Sequence, residues 1–329
     1  MPTQPSIHIL FENKDWIPPL TDALSAAGFT DVNLVKLSEG LIDPNTEPAD
    51  GIWINRISPS SHTRGNVNTV QLARDVLYWL EYHNRIVING LNAFEFEMSK
   101  FRQDLILRKY GIQTPKTILV VGLEKLKAAA QQFDGPFITK HNQGGKGLGI
   151  QLFQSTDDFN AQIDDQTLEP SPDGKYILQQ YIQPAHKHIT RVEIVGDRFL
   201  FAMNSSTEDG FELCPSDVCQ LEAAAKKGPD VCPIDGNESK FSPAELNEND
   251  PLVQQYIQMM KNESIDVAGI EYVQDIHGER YTYDINGTTN YNAKLGAQIG
   301  IQGMDALAAY ISNSIVPNYL ANRFQTASK

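Results

Sequence analysis

The stretch from Phe137 to Phe153 reads FITKHNQGGKGLGIQLF, and the fold turns on how it is read. Phe137–His141 and Ile150–Phe153 are short apolar runs with β-branched and aromatic residues, so both are expected to be strands. Between them lies the glycine-rich segment Gly144-Gly145-Lys146-Gly147-Leu148-Gly149. A Walker loop needs Gly-Lys-Ser/Thr opening a helix, and the dinucleotide fingerprint opens one as well. A strand on each side excludes both. What remains is a hairpin flap whose backbone N–H groups can approach phosphate oxygens without interference from Cβ atoms. Taken alone, the same loop reads equally as a surface turn.

Upstream, Ile7–Asn13, Val32–Lys36, Gly51–Arg56 and Arg85–Asn89 read as strands, with helices about Trp16–Ala27 and Asn68–His83 between them. Such alternation implies βαβ units and a mostly parallel sheet. One helix is expected about Ala93–Tyr110, stopped by Gly111 and Pro115. Thr117–Val121 is a strand and Leu123–Phe133 a helix leading into the glycine segment. Downstream, Tyr176–Ile182, Thr190–Val195 and Arg198–Asn204 are closely spaced strands, the last two joined by a Gly196-Asp197 turn suited to a hairpin. Val267–Asp275 and Tyr281–Ile285 form another hairpin after a helix Pro251–Glu263, and Gly303–Phe324 reads as an amphipathic helix. The pattern changes from α/β to α+β.

The chain has 329 residues, and 27 Lys+Arg against 41 Asp+Glu leave a formal charge of −14. Its length suggests two or three domains at about 100–200 residues each. An acidic chain repels polyanions, so nucleic acid and membrane surfaces are not expected partners. No basic segment followed by a long apolar run opens the sequence, which leads us to expect a cytoplasmic protein. Three cysteines make no disulfide framework and fit a reducing compartment.

In a chain short of cations, those near the loop stand out. Lys140 ends the strand before it, Lys100 follows Ser99 at an earlier helix, and Arg191 lies on a later strand. Converging on the flap, they would supply the positive potential a triphosphate requires, although each separately reads as a solvated charge. Opposite them, Glu271 and Asp284 lie on the two strands of the second hairpin, where an unpaired charge is costly to bury. Asn286 falls two residues beyond Asp284 and so returns to the same face. Two carboxylates and an amide oxygen are hard ligands suited to Mg2+.

The order of these segments resembles the ATP-grasp superfamily, and within it the RimK-like ligases that add glutamate to a ribosomal protein. The resemblance runs from about Ile7 to Ile315 and rests on Ser99-Lys100, the Pro136–Lys140 strand, the Gly144–Gly149 loop, Leu178–Ile182, Arg191-Val192, Val267–Glu271 and Tyr283–Asn286. It implies a nucleotide clamped between two α+β subdomains, residues 93–183 and 184–329, preceded by an open α/β domain over residues 1–92. It implies Lys100 and Lys140 on the ATP phosphates, Gly144, Gly145, Lys146 and Gly147 in the flap, and Gln179, Gln180, Tyr181 and Ile182 as the hinge beside adenine. Arg191 would face the transferred phosphate, and Glu271, Asp284 and Asn286 would hold two Mg2+, with Mn2+ as the alternative ion. The chemistry implied is transfer of the γ-phosphoryl group to a carboxylate, giving an acylphosphate that an amine attacks. The carboxylate and amine would be small molecules or peptides, and the assembly a homodimer or homotetramer.

The sequence departs from that pattern in places. Relatives commonly carry Glu where Gln180 stands and an acidic ribose contact near Ile189, where His188 and Lys187 are the polar alternatives. After the metal-binding Asn they read Ser-Pro-Gly, whereas Gly287-Thr288-Thr289-Asn290 follows here, placing Thr288 and Asn290 in the acceptor region. The basic loop Asn55–Arg64 follows a parallel strand, where α/β sheets bind ligands, so Arg56 or Arg64 is a candidate for the substrate carboxylate. The same arginines read equally as surface charges meeting acidic neighbours. Cys214, Cys219 and Cys232 fit no zinc spacing and read as reduced thiols in a loop near the site. Against the ligase stand a kinase with a hydroxyl acceptor and a nucleotide-binding regulatory protein with little catalysis.

Overall fold

The computed structural model describes residues 4–144, 149–207 and 240–326. Its strands form three sheets. The first is all parallel, ordered β2-β1-β3-β4, from β1 (Ile7–Phe11), β2 (Val32–Lys36), β3 (Ile52–Asn55) and β4 (Ile86–Ile88). Its central strands β1 and β3 are buried throughout, which is why they read as continuous apolar runs. Helix α1 (Pro18–Ala26) covers one face and α2 (Thr69–Tyr82) the other.

The second sheet is antiparallel, ordered β5-β8-β6-β7: β5 (Thr117–Val120), β6 (Phe137–His141), β7 (Gln151–Phe153) and β8 (Tyr176–Gln180). Phe137 stacks between Phe133 and Phe153, with Phe159 edge-on, so aromatic packing holds the strands flanking the glycine segment. The third sheet is ordered β11-β10-β9-β12-β13: β9 (His188–Val195), β10 (Arg198–Ser206), β11 (Phe241–Pro243), β12 (Val267–Gln274) and β13 (Arg280–Asn286). Val192 and Ile194 of β9, Ala268 and Ile270 of β12 and Ile285 of β13 pack with Tyr256, Met259 and Met260 of the helix Pro251–Asn262. Strand residues alternate in direction, so Arg191, Glu193, Gly269, Glu271, Asp284 and Asn286 share the opposite face.

Four differences from the sequence expectations bear on function. The helix expected about Ala93–Tyr110 is two helices, α3 (Leu91–Glu97) and α4 (Lys100–Lys109). Ser99 between them is extended (φ −138°, ψ 103°), and its hydroxyl accepts from Arg102 N at 3.2 Å. That local cap competes with a continuous helix and leaves Lys100 at the start of a new one. Secondly, a short helix not read from sequence, Ala293–Ile299, is capped by the Asn292 side chain accepting from Leu295 N at 2.8 Å. Thirdly, the C-terminal helix includes a π-helical stretch at Ile311–Ile315, and Leu307, Ala308, Ile311 and Ile315 share a core with Ile7, Ile9 and Leu24. The end of the chain therefore packs on the parallel sheet as well as on Val195 and Val267 of the third. Lastly, Phe241–Pro243, not read as a strand from sequence, pairs with β10, while Cys214, Cys219 and Cys232 lie outside the described residues. Among the described residues no helix is long and apolar enough to cross a membrane.

Candidate active site

On the polar face of the third sheet Arg191, Glu193 and Glu271 are buried, and their charges are matched there. Arg191 is 4% exposed; its Nε donates to Glu193 Oε1 at 2.6 Å and its Nη1 to Glu271 Oε1 at 2.8 Å. Nη2 donates to Thr289 Oγ1 at 3.0 Å, and that hydroxyl donates on to Glu193 Oε2 at 3.0 Å. Burial disfavours the guanidinium charge, but Glu193 and Glu271 outweigh it and hold Arg191 more firmly protonated than usual. The ring of contacts needs Gly269: a Cβ there would stand 2.0 Å from Arg191 Nη2. A glycine inside a central strand often marks such a close approach.

Beside this cluster, Lys100 Nζ donates to Asp284 Oδ1. Helix α4 is seated against β13 by Gln103, whose Nε2 donates to Ile285 O at 2.8 Å and whose Oε1 accepts from Ile285 N at 3.1 Å. Lys140 Nζ donates to Tyr283 O at 3.2 Å and lies 5.5 Å from the Tyr283 ring centroid. Burial, with Lys100 nearby, lowers Lys140 to about 7, opposed by Asp284. Burial pushes Asp284 up, but Lys100 and Lys140 prevail and keep it below the usual carboxylate range. Burial likewise raises Glu271, and there it prevails over Arg191.

Lys100, Lys140, Arg191, Glu271 and Asp284 thus come together from two sheets and one helix. Asn286 pairs with Gly269 and shares their face. Gly144 is the last described residue before the gap that follows β6, and Gly145, Lys146 and Gly147 lie outside the described residues. Gln179 is buried and donates to Thr117 Oγ1 at 2.9 Å, Gln180 is exposed, and Tyr181 N donates to Pro136 O at 3.0 Å. With Ile182 they form the link from the second sheet to the third. His188 opens β9, its Nδ1 3.1 Å from His186 O and its ring stacked on His186.

The two candidate arginines have different fates. Arg64 is tied to Glu12, with Nε 3.0 Å from Glu12 Oε1, and stacks on Trp16. Arg56 is buried at 3% exposure against the segment after Asn286, donating to Thr289 O at 3.0 Å and to Asn290 Oδ1. Thr288 turns to Glu97: its N and Oγ1 donate to that carboxylate at 3.2 and 2.9 Å. Burial raises Glu97 to about 7 against those two hydrogen bonds.

Sequence reasoning missed Glu193, Thr289, Gly269, Glu97 and Asn142. A signal existed for two of them: Glu193 follows Arg191 by two on an apolar strand, and Gly269 interrupts one. Asn142 joins the flap strand to α4, since its O accepts from Lys100 N at 3.1 Å and its Oδ1 from Phe101 N at 3.2 Å.

The donor set suits a hard cation. Among the described residues Asp284 Oδ2 accepts no protein hydrogen bond, and Glu271 Oε2 accepts only a 3.3 Å contact from Tyr283 OH. Each carboxylate thus keeps an oxygen for a metal while its other oxygen meets a cation. No group of three or more His, Cys, Asp or Glu that could hold a metal occurs among the described residues.

Residues 98–213, which carry α4, the glycine segment, the hinge and Arg191, match the family model of the RimK-like ATP-grasp domain. The chain has the ATP-grasp fold. The ATP-grasp ligase PsnB, solved with a phosphomimetic variant of its minimal precursor, Mg and ADP, is similar to it over 94% of this chain and 98% of its own, with a TM-score of 0.64 and 14% identity. D-cycloserine synthetase DcsG gives a TM-score of 0.61 and 14% identity over 93% of this chain and 99% of its own. The macrocyclase MdnC of Microcystis aeruginosa, bound to its precursor peptide MdnA, gives 0.62 and 14% over 94% and 100%. No curated protein matches this chain. In chain order the parallel sheet comes first and the two antiparallel sheets follow.

Proposed function

We propose that this ATP-grasp protein is an ADP-forming carboxylate–amine ligase. The observation that carries the reading is the pairing of buried Arg191 with Glu271 and of half-buried Lys100 with Asp284 at one face of the third sheet, with buried Lys140 alongside. Such a set positions and neutralises a triphosphate and requires no protein nucleophile, which is what phosphoryl transfer needs.

In this reading Lys100 and Lys140 bind the phosphates of ATP, and the N–H groups of the glycine segment close over them. Glu271, Asp284 and Asn286 hold Mg2+, which when bound neutralises charge on the phosphate oxygens. A carboxylate oxygen of the acid attacks the γ-phosphorus, the bond to the bridging oxygen breaks, and ADP leaves. Arg191 stabilises the oxygens that gain charge. The amine then attacks the acylphosphate carbonyl, forming the amide and releasing phosphate and a proton. The link Gln179–Ile182 borders the adenine, and His188 the ribose.

Support comes from the oxygen donors left open on Glu271 and Asp284 and from similarity to proteins described as ligases and synthetases. The test is a screen of acids crossed with amines for ADP release. A ligase releases ADP and phosphate only with both substrates, and hydroxylamine traps its acylphosphate as a hydroxamate. ADP release with a hydroxyl compound alone, without hydroxamate, would identify a kinase instead.

A further inference from the structure

Two arginines meet on Thr289, and their charges are treated in opposite ways. Arg191 holds the Thr289 hydroxyl and is compensated by Glu193 and Glu271. Arg56 holds the Thr289 carbonyl at 3.0 Å, is as deeply buried at 3% exposure, and forms no ion pair among the described residues. Its acceptors are neutral, a backbone carbonyl and the Asn290 amide oxygen, and among the described residues its Nε has no hydrogen-bond partner. The one carboxylate that interacts with it electrostatically, Glu97, is engaged by Thr288 instead. A buried guanidinium without a counter-anion is costly, and it lowers that cost by receiving one.

A second donor lies in the same region. Among the described residues the Tyr291 hydroxyl is buried without a hydrogen-bond partner, and the phenol interacts electrostatically with Glu193 and, next, with Arg56 and Arg191. Its ring is seated on the Gly303 backbone, where a Cβ would stand 2.1 Å from Tyr291 Cγ. The hydroxyl is therefore held in place by packing and not by a hydrogen bond. Asn290 is half-exposed, and its amide oxygen already accepts from the guanidinium at the place a carboxylate oxygen would take on entering.

We propose that Arg56 and the Tyr291 hydroxyl bind the carboxylate of the acid substrate, one residue away from the Arg191 cluster, with Asn290 as the displaceable acceptor. This rests on the ligase reading and specifies its acid-binding subsite: Arg56, not Arg64, takes the carboxylate.

Tyr291→Phe is the sharpest test, because in the free protein it removes a hydroxyl that has no hydrogen-bond partner among the described residues. Thermal unfolding is followed in potassium acetate against potassium chloride at equal ionic strength, for wild type, Tyr291→Phe and Arg56→Lys. Wild type should be stabilised by acetate beyond chloride. Tyr291→Phe should melt no lower than wild type yet bind acetate roughly 5- to 10-fold more weakly, and Arg56→Lys should lose the acetate increment. No acetate increment in wild type, an unchanged increment in Tyr291→Phe, or a drop of several degrees in the melting of unliganded Tyr291→Phe would each overturn the assignment. In the ADP-release assay the same variant should raise KM for the acid and leave KM for ATP unchanged; equal KM values for the acid would also overturn it. Acetate binding without any ADP release would sink the ligase reading and leave the anion site standing.

Discussion

Glu271 and Asp284 face each other across β12 and β13 as register partners, and each answers to a different cation, Arg191 for the first and Lys100 for the second. Glu271 thereby draws on a neighbouring strand, and Asp284 on a helix from a separate part of the chain. Asp284 Oδ2 accepts no hydrogen bond among the described residues, and Glu271 Oε2 only the 3.3 Å one from Tyr283. Asp284→Asn and Glu271→Gln should each lower ADP release by about 100-fold or more, since several kcal/mol of charge neutralisation is lost. The cost in stability should be modest for Glu271→Gln, because Arg191 retains Glu193. Parallel assays of ADP release and thermal melting check this, and turnover at the wild-type rate in either variant would remove the metal assignment.

Gly269→Ala should be as damaging to the site as a change to a charged residue. The added methyl would meet a guanidinium pinned by Glu193, Glu271 and Thr289. Arg191 has to move, and overpacking of this kind costs about 1–3 kcal/mol. Turnover should fall at least about tenfold with the fold retained by circular dichroism, as expected for about 1.4 kcal/mol or more of lost transition-state stabilisation. Retention of full activity would show that Arg191 does not need its present place.

Asn142→Ala tests the connection between the flap strand and α4. Its side chain accepts from Ser99 Oγ and Phe101 N, each at 3.2 Å, and donates to Asp173 Oδ2 at 3.1 Å. Loss of these bonds should cost about 1–3 kcal/mol. Lys100 starts the helix that Asn142 caps, so KM for ATP should rise as well. Urea midpoints and ATP titration separate the two effects.

Glu97 makes stability depend on pH. Its carboxyl rises from the ordinary 4.5 to about 7 in the fold. Between those values the folded chain holds a proton that the unfolded chain has lost. The contribution is therefore fully present below pH 4.5 and disappears as pH rises through about 7. Glu97→Gln should flatten that decline and be worth about 3 kcal/mol at most relative to wild type at pH 8. Urea midpoints at pH 5 and pH 8 measure it; an identical slope in the variant would show that another group titrates.

The strands of the third sheet were legible because one of their faces is apolar and the period is two. Ile270 and Ile285 turn toward Tyr256 and Met259, which sends Glu271, Asp284 and Asn286 to the other side whatever else the protein does. The break between α3 and α4 was misread because Met98-Ser99 sits within an apolar periodicity, and only the extended backbone of Ser99 ends it.

Arginines 56 and 64 mark the limit of that reading. In sequence they are equivalent basic residues of one polar loop. Arg64 meets Glu12 across 52 positions, and Arg56 meets Thr289 across 233. Periodicity and composition determined the sheets, the glycine segment and the side of the hairpin that carries carboxylates, because those follow from local geometry and the burial of apolar surface. Whether a given charge is paired, buried or left without a counter-ion depends on which distant segment arrives beside it. That was decided only when the three sheets closed on one another.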